Sequence, residues 1–505
     1  MGKTAFTLMI ITLISKVTGL VREQFFAYFL GTGQIIDVYN TATSIPYTVF
    51  SFIISGVVAT FIPIYSKIKK DKGKAHADEF TSNLVNILIF ISTIMIFLVF
   101  LFAPKLVSLF APGYTGAKRE LSIQFTRIIS LSIYVSALSS VLIGYLQLNN
   151  RFIAAETPGI IMNFLNVFFL VLAVQLANIY ILAIGYVISE LLKYSFFPKT
   201  LRTEGYTHKW IVDFKDPHIK TMITNSIPVI LSIAAVDIST ISDQAFASTI
   251  VNGGVSIMRY AALILQLVSG VVVVSISTST YPSLSVYASD NNEKRFEDTL
   301  LRSNILSFIL IVPAMVGIMI LSEPFVRLLF QRGNFDSKST MLTSETLVFY
   351  MPTIVGQSIS FLFKKAFYAK SNTRTPIIVT IVEVVTNVSL NYALYRIMGL
   401  LGLALATSIS AMLGGIMSVI LYKREYKTIH IKVLVVNFMK ILFASLIMGF
   451  VTYNIYKALA GIHYLLALAG SVLVSIVVYL LIILFMKIPQ VMHLLNSSYH
   501  RFRRR

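Results

Sequence analysis

Cysteine is absent from the 505 residues, which excludes disulfides and thiolate metal centres without identifying a compartment. Charge is scarce: Asp, Glu, Lys and Arg make up 13% of the chain, about half the share usual in soluble domains. Acids are scarcest, 22 against 42 Lys and Arg, which leaves a net charge of +20. Histidine is sparse too. The seven, at positions 76, 208, 218, 430, 463, 493 and 500, sit in loops or near the chain ends without ligand spacing, so no histidine metal site is expected. A phosphate-binding loop is also missing, because Gly2-Lys3-Thr4 lacks the upstream glycine and strand that such a loop needs. With no nucleophile, metal centre or acid–base set in view, the chain does not read as an enzyme. Any transport must draw on a gradient or on the substrate's own imbalance.

Apolar residues, by contrast, make up 56% of the chain, and mean hydropathy is +0.79, the composition of a polytopic membrane protein. Hydropathy gives fourteen spans, at 5–30, 38–66, 83–104, 121–147, 157–176, 178–198, 221–250, 256–285, 300–322, 342–369, 376–396, 399–422, 433–456 and 463–486. The expected fold is therefore all-α, with 14 transmembrane helices. The first apolar run is too long for a cleaved signal peptide and is expected to stay as an anchor. Basic residues gather in Lys67-Ile68-Lys69-Lys70-Asp71-Lys72-Gly73-Lys74, in the segment 199–220 and in the tail Arg501-Phe502-Arg503-Arg504-Arg505. Short basic loops between apolar spans indicate topology rather than nucleic-acid binding, and they place both termini in the cytoplasm. Their expected partner is anionic membrane lipid.

An internal repeat divides the chain. Ile62-Pro63-Ile64-Tyr65-Ser66 returns as Tyr281-Pro282-Ser283-Leu284-Ser285, and Leu109-Phe110-Ala111-Pro112-Gly113 returns as Leu329-Phe330-Gln331-Arg332-Gly333. Asn149-Asn150-Arg151 with Pro158 matches Asn372-Thr373-Arg374 with Pro376. The offsets, 219, 220 and 218 residues, are nearly constant. Six spans per repeat preserve direction, so the reading is two parallel six-helix repeats around a central cavity. The expected domains are residues 1–215, residues 216–428, and residues 429–505 for the two extra spans and basic tail.

Charges at membrane depth are costly and point to function. Lys16, Arg22 and Glu23 lie in the first span, whereas the corresponding seventh span carries Asp237 and Asp243, and the eighth adds Arg259. A cation-bearing face cannot look at lipid, so Lys16 and Arg22 are expected to face a wet cavity; the bland alternative is an interhelical pair. Asp37 opens the second span, where a helix cap is an equal reading. In the eleventh span Glu383, Asn387 and Asn391 recur every four residues and share a face. Such oxygens either bind a hard cation or hydrogen-bond a neighbouring helix. Asn163 and Asn166, in the fifth span, read as glue between helices.

The stretch Ser15-Lys16-Val17-Thr18-Gly19-Leu20-Val21-Arg22-Glu23, then Gly31 to Asp37, Ile45-Pro46 and Phe61-Ile62-Pro63, resembles the opening of the MurJ/MviN lipid II flippases of the MOP exporter superfamily. Leu109-Phe110-Ala111-Pro112-Gly113, Leu329-Phe330-Gln331-Arg332-Gly333-Asn334-Phe335, Ala366-Phe367-Tyr368-Ala369 and Thr373-Arg374-Thr375-Pro376 continue the likeness over twelve spans. Phe50, Ser51, Ser55 and Gly56 stand where that family commonly has paired arginines and then Glu-Gly. Ala262-Leu263 replaces its Asp-Arg, and Arg259 lies one turn earlier.

The resemblance implies a flippase carrying lipid II, a lipid-linked peptidoglycan precursor, across a bacterial plasma membrane by alternating access. It implies a cationic cavity with Lys16, Arg22, Glu23, Asp37 and Arg259 as its substrate-binding residues, in which Lys16, Arg22 and Arg259 meet the diphosphate; a monomer is expected. It further implies a sodium ion held by Asp243, Asn387, Asn391, Leu403 and Thr407, with Glu383 one turn outside that set. Two alternatives stay open: a flippase for another polyprenyl-diphosphate glycan, and a cation-coupled exporter of small molecules.

Overall fold

The computed structural model describes residues 2–427, 429–461 and 464–486, and among them every regular element is a helix. The first half of the chain forms α1 (Gly2–Leu30), α2 (Gln34–Lys72), α3 (Lys74–Phe110), α4 (Gly116–Ile129), α5 (Ser132–Leu148), α6 (Phe152–Glu156), α7 (Pro158–Gln175), α8 (Tyr180–Leu192) and α9 (Phe197–Thr203). Then come α10 (Pro217–Ile250), α11 (Gly254–Ser289), α12 (Glu293–Ile320), α13 (Ser322–Phe330), α14 (Ser337–Tyr350) and α15 (Thr353–Ala369). The last four are α16 (Arg374–Met398), α17 (Leu400–Tyr426), α18 (Ile431–Leu459) and α19 (Tyr464–Phe485). The basic tail 501–505 and the histidines at 463, 493 and 500 lie outside the described residues.

Helices suit a bilayer because each satisfies its own backbone hydrogen bonds. Among the described residues eleven helical segments are long and apolar enough to cross a membrane, and α4 with α5, bent by 41°, makes a twelfth if taken as one broken span. The hydropathy reading has fourteen. The two expected spans outside the structural count are α1 and α10, helices of 29 and 34 residues that carry the membrane-depth charges singled out above.

Packing divides the chain into two compact units, one running to Ser256 and including Arg332–Asp336, the other comprising Ile257–Gln331 and residues from Ser337 onward. The repeat places residue 216 and beyond in the second half, yet α10 packs along α2 in the first unit. Small side chains make that approach close. A Cβ on Gly56 would lie 2.7 Å from the Ser226 Cβ. Ser44 Oγ donates to Gln244 Oε1 at 2.9 Å, and Ser51 Oγ stands 2.5 Å from Asp237 Oδ2. Ser51, which stands at one of the resembled family's paired arginines, and Gly56, at the glycine of its Glu-Gly, are thus in a helix contact here. In the second unit α17 packs on both α15 and α16, and α12 on α18. The two spans beyond the repeat, α18 and α19, dock on α12: the Phe308 and Phe438 rings meet edge-on at 5.2 Å, and Tyr479 Oη donates to the Ile309 carbonyl at 2.7 Å.

Candidate functional site

Asp37, in the first turn of α2, is wholly buried. Its Oδ2 accepts from Lys118 Nζ at 2.8 Å and from the Gly253 N–H at 2.9 Å; its Oδ1 accepts from the N–H and the hydroxyl of Ser256, both at 2.9 Å. Gly253 and Ser256 flank the start of α11, where backbone N–H groups lack intrahelical acceptors and the helix dipole favours an anion. Asp37 thus caps the start of α11, more than 200 residues away, and not its own helix, which has no side-chain cap. The Lys118 ammonium also lies 4.1 Å from the Tyr114 ring centroid, and the Tyr114 hydroxyl lies 3.0 Å from Thr41 Oγ1. Burial, and then the Asp37 carboxylate, push the Tyr114 phenol well above its usual range, so it stays neutral. With both oxygens engaged, Asp37 could reach a substrate only by releasing this cap.

Around Asp37 the glycines of the sequence motifs mark close backbone contacts. A Cβ on Gly113 would lie 2.1 Å from the Ser248 carbonyl oxygen, and one on Gly333 would lie 2.3 Å from that of Tyr28. Both members of the second pair, Gly333 with Tyr28, map onto Gly113 with Ser248 by a 220-residue shift, so each repeat offers the same loop to the same helix end of the other. Gly253, at φ +88°, would likewise meet the Thr32 carbonyl oxygen at 1.9 Å. Asn334 completes the junction: its N–H donates to the Tyr28 carbonyl at 2.9 Å and its Nδ2 to that of Phe29 at 2.6 Å.

Further along α1, Arg22 Nη2 donates to Glu23 Oε1 at 2.5 Å. Glu23 is buried, whereas Arg22 keeps part of its side chain open. A guanidinium carries five N–H donors, so one bond to Glu23 steadies it without using it up. Lys16 is half-buried, and among the described residues of its unit no acceptor engages it. The α1 face that carries Ser15 and Thr18, two turns and one turn before Arg22, is held by Asn163 of α7, whose Nδ2 donates to Ser15 O at 3.1 Å and to Thr18 Oγ1 at 3.0 Å. Asn163 is interhelical glue, as the sequence reading has it.

The expected cation ligands divide between the units. Asp243 is on α10 in the first, half-buried; Asn387, Asn391, Leu403 and Thr407 are together in the second. There Asn391 Nδ2 donates to Asn387 Oδ1 at 3.3 Å, Asn387 Nδ2 to Thr407 Oγ1 at 3.1 Å, and Thr407 Oγ1 to Leu403 O at 3.1 Å. These four form a hydrogen-bonded ladder of hard oxygen donors between α16 and α17. Glu383 stands apart from it, accepting from Lys364 Nζ at 2.9 Å and Ser360 Oγ at 2.8 Å, with Gly414 leaving room for its carboxylate. Arg259 lies on α11 in the second unit, half-buried. Sequence reasoning missed Lys118, Ser256 and Lys364, whose partners lie on other helices and leave no local pattern.

An all-helical fold with eleven or twelve segments long and apolar enough to cross a membrane is that of a polytopic membrane protein. The profile of the family "Lipid II flippase MurJ" matches residues 26–470. The chain belongs to that family. It is 28% identical over 417 residues to the probable lipid II flippase MurJ of Rickettsia prowazekii, covering 81% of each chain. It is 28% identical over 449 residues to the lipid II flippase MurJ of Thermosipho africanus, covering 88% of this chain and 89% of the relative. A solved lipid II flippase MurJ in an inward closed conformation superposes with a TM-score of 0.81 at 27% identity, over 99% of this chain and 100% of the other. An inward-facing MATE multidrug transporter of the MOP superfamily gives 0.67 at 18% identity, over 83% of this chain and 97% of the other, a likeness of fold alone.

Proposed function

We propose that this chain is a lipid II flippase of the bacterial inner membrane, moving the precursor from the inner to the outer leaflet by alternating access. The observation that carries this reading is the family match over residues 26–470. The chemistry of α1 supports it. A diphosphate-linked glycan is anionic and too hydrophilic to cross hydrocarbon, so its headgroup needs a wet path with cations while its tail stays in lipid. Arg22, steadied by Glu23, offers bidentate contacts to phosphate, and Lys16 and Arg259 add point and planar charge. Both termini face the cytoplasm, on the side of the basic loops 67–74 and 199–220, and the protein acts as a monomer. In cells depleted of their resident flippase, this chain restores growth and lipid II does not build up in the inner leaflet. Accumulation of a different polyprenyl-linked glycan on its loss would contradict the substrate.

The ladder Asn387, Asn391, Leu403 and Thr407 fits a weakly held monovalent cation, because neutral oxygens with at most one carboxylate suit sodium better than a divalent ion. The ligand carboxylate expected from the resemblance is Asp243. Sodium then raises the melting temperature of the purified protein more than potassium does, and Asn387→Leu abolishes the difference. Equal effects of the two ions on the unaltered protein would count against the site.

A further inference from the structure

The chain has one tryptophan, Trp210, and it is 85% exposed. It lies in the connection from α9 to α10, followed by Val212 and Phe214, 57% and 52% exposed. Loose loops also expose apolar groups, but this one is clamped. Asn83 of α3 accepts from the Asp213 N–H at 2.7 Å and donates to the Asp213 carbonyl at 2.9 Å. Asn86, one turn on, donates to the carbonyls of Lys209 and Ile211 at 2.9 and 2.8 Å and lies 2.9 Å from His208 Nε2. The Lys209 N–H donates to Ser82 Oγ at 3.2 Å. Burial holds the His208 imidazole below its usual pKa, so a neutral ring donates through Nε2 to the Asn86 carbonyl oxygen. Ser82, Asn83 and Asn86 are themselves buried near the start of an apolar helix, where polar side chains need partners; the strap's backbone supplies them. A rigid display of Trp, Val and Phe in water is unfavourable unless something covers it.

The surroundings say what covers it. The Phe214 ring meets Phe90 edge-on at 5.9 Å. Phe90 is exposed on α3 inside the expected span 83–104, a position that faces lipid. The strap follows a helical segment long and apolar enough to cross a membrane, Tyr180–Thr203, and leads into α10, which holds the expected span 221–250; a connection between two such spans lies at the bilayer surface. Lys209 and Lys215 bracket the apolar trio; Lys215 is placed for a long side chain to reach phosphates while the rings sit deeper, and Lys209, whose Nζ lies 3.4 Å from the half-exposed Glu79 Oε2, would exchange that loose pair for phosphate. Tryptophan itself favours the headgroup level.

We propose that residues 209–215 are an interfacial anchor: a strap clamped to α3 that inserts Trp210, Val212 and Phe214 into the boundary between headgroups and acyl chains. Because the strap runs into α10, whose first turn Asp216 caps through the His218 N–H at 2.7 Å, the anchor sets the level at which α10 enters the bilayer. This holds whatever substrate the protein carries.

With a single tryptophan, the fluorescence of the full chain in proteoliposomes, excited at the red edge where tyrosine does not absorb, reports on this strap alone. Lipids brominated near the headgroup end of the acyl chain are expected to quench it about twofold or more, as for aromatics at a membrane interface. Lipids brominated near the chain end quench less, and iodide on both faces has little effect. Moving the probe to the next outward position, as Trp210→Phe with Val212→Trp, gives the same pattern. Asn83→Ala with Asn86→Ala frees the strap and raises iodide quenching; no rise would contradict the clamp. Emission open to iodide and untouched by either bromolipid overturns the anchor and leaves the trio to water or to a soluble partner.

Discussion

Asp37 shows how a membrane protein affords a fully buried carboxylate: four donors surround it, and one of them, Lys118, carries the countercharge. Removing one partner of such a pair leaves the other charged and dry, which costs about 3–5 kcal/mol. Asp37→Asn should therefore lower the unfolding midpoint of the purified protein markedly, while Asp37→Asn with Lys118→Met should recover much of the loss. Equal midpoints for the single and double variants would show that the pair has no such role. Arg22 is the reverse case, an ion pair that keeps donors to spare. Arg22→Ala should insert and fold yet stop transport, and Arg22→Lys should restore it only in part, because an ammonium lacks the planar fork that grips two phosphate oxygens. Full activity of a well-folded Arg22→Ala protein would remove it from the substrate path.

Between elements, the reciprocal contacts of Gly113 with Ser248 and Gly333 with Tyr28 are the repeat made physical. Both glycines touch backbone, which cannot yield as a side-chain tip does. Gly333 also needs a left-handed backbone, φ +55°, so Gly333→Ala adds conformational strain of about 1 kcal/mol or more to the clash. Thermal unfolding should show Gly333→Ala more damaging than Gly113→Ala, and both more damaging than Gly73→Ala, whose φ is +85° but whose Cβ meets nothing within 4 Å. Three indistinguishable midpoints would mean that the close approach carries no energy. Much of this level was legible beforehand, since motif spacing alone gave the offset near 220 and hydropathy gave the helices. The partners were not. Asp37 read as a possible cap, but a cap on α11 depends on a contact across more than 200 residues. Glu383 read as a neighbour of the Asn387 and Asn391 face, yet it turns to Lys364 on another helix, which no periodicity within one span encodes.

At the scale of the whole molecule, the family match and the fold agree on a lipid II flippase, and the sequence departs from the resembled pattern where α2 meets α10. Where that family commonly has paired arginines and then Glu-Gly, Phe50, Ser51, Ser55 and Gly56 stand here, and Ser51 and Gly56 pack against α10, so this chain has fewer fixed cations than the family pattern. The central claim is the proposal that the cations of α1, Arg22 above all, serve the lipid-linked diphosphate as it passes between leaflets. It is tested most directly by measuring how much lipid II becomes cleavable by a membrane-impermeant headgroup hydrolase added outside cells whose only flippase is this chain. The account predicts ready cleavage with the unaltered protein and almost none with Arg22→Ala at equal expression. Equal cleavage in the two strains, or none in either, would contradict it.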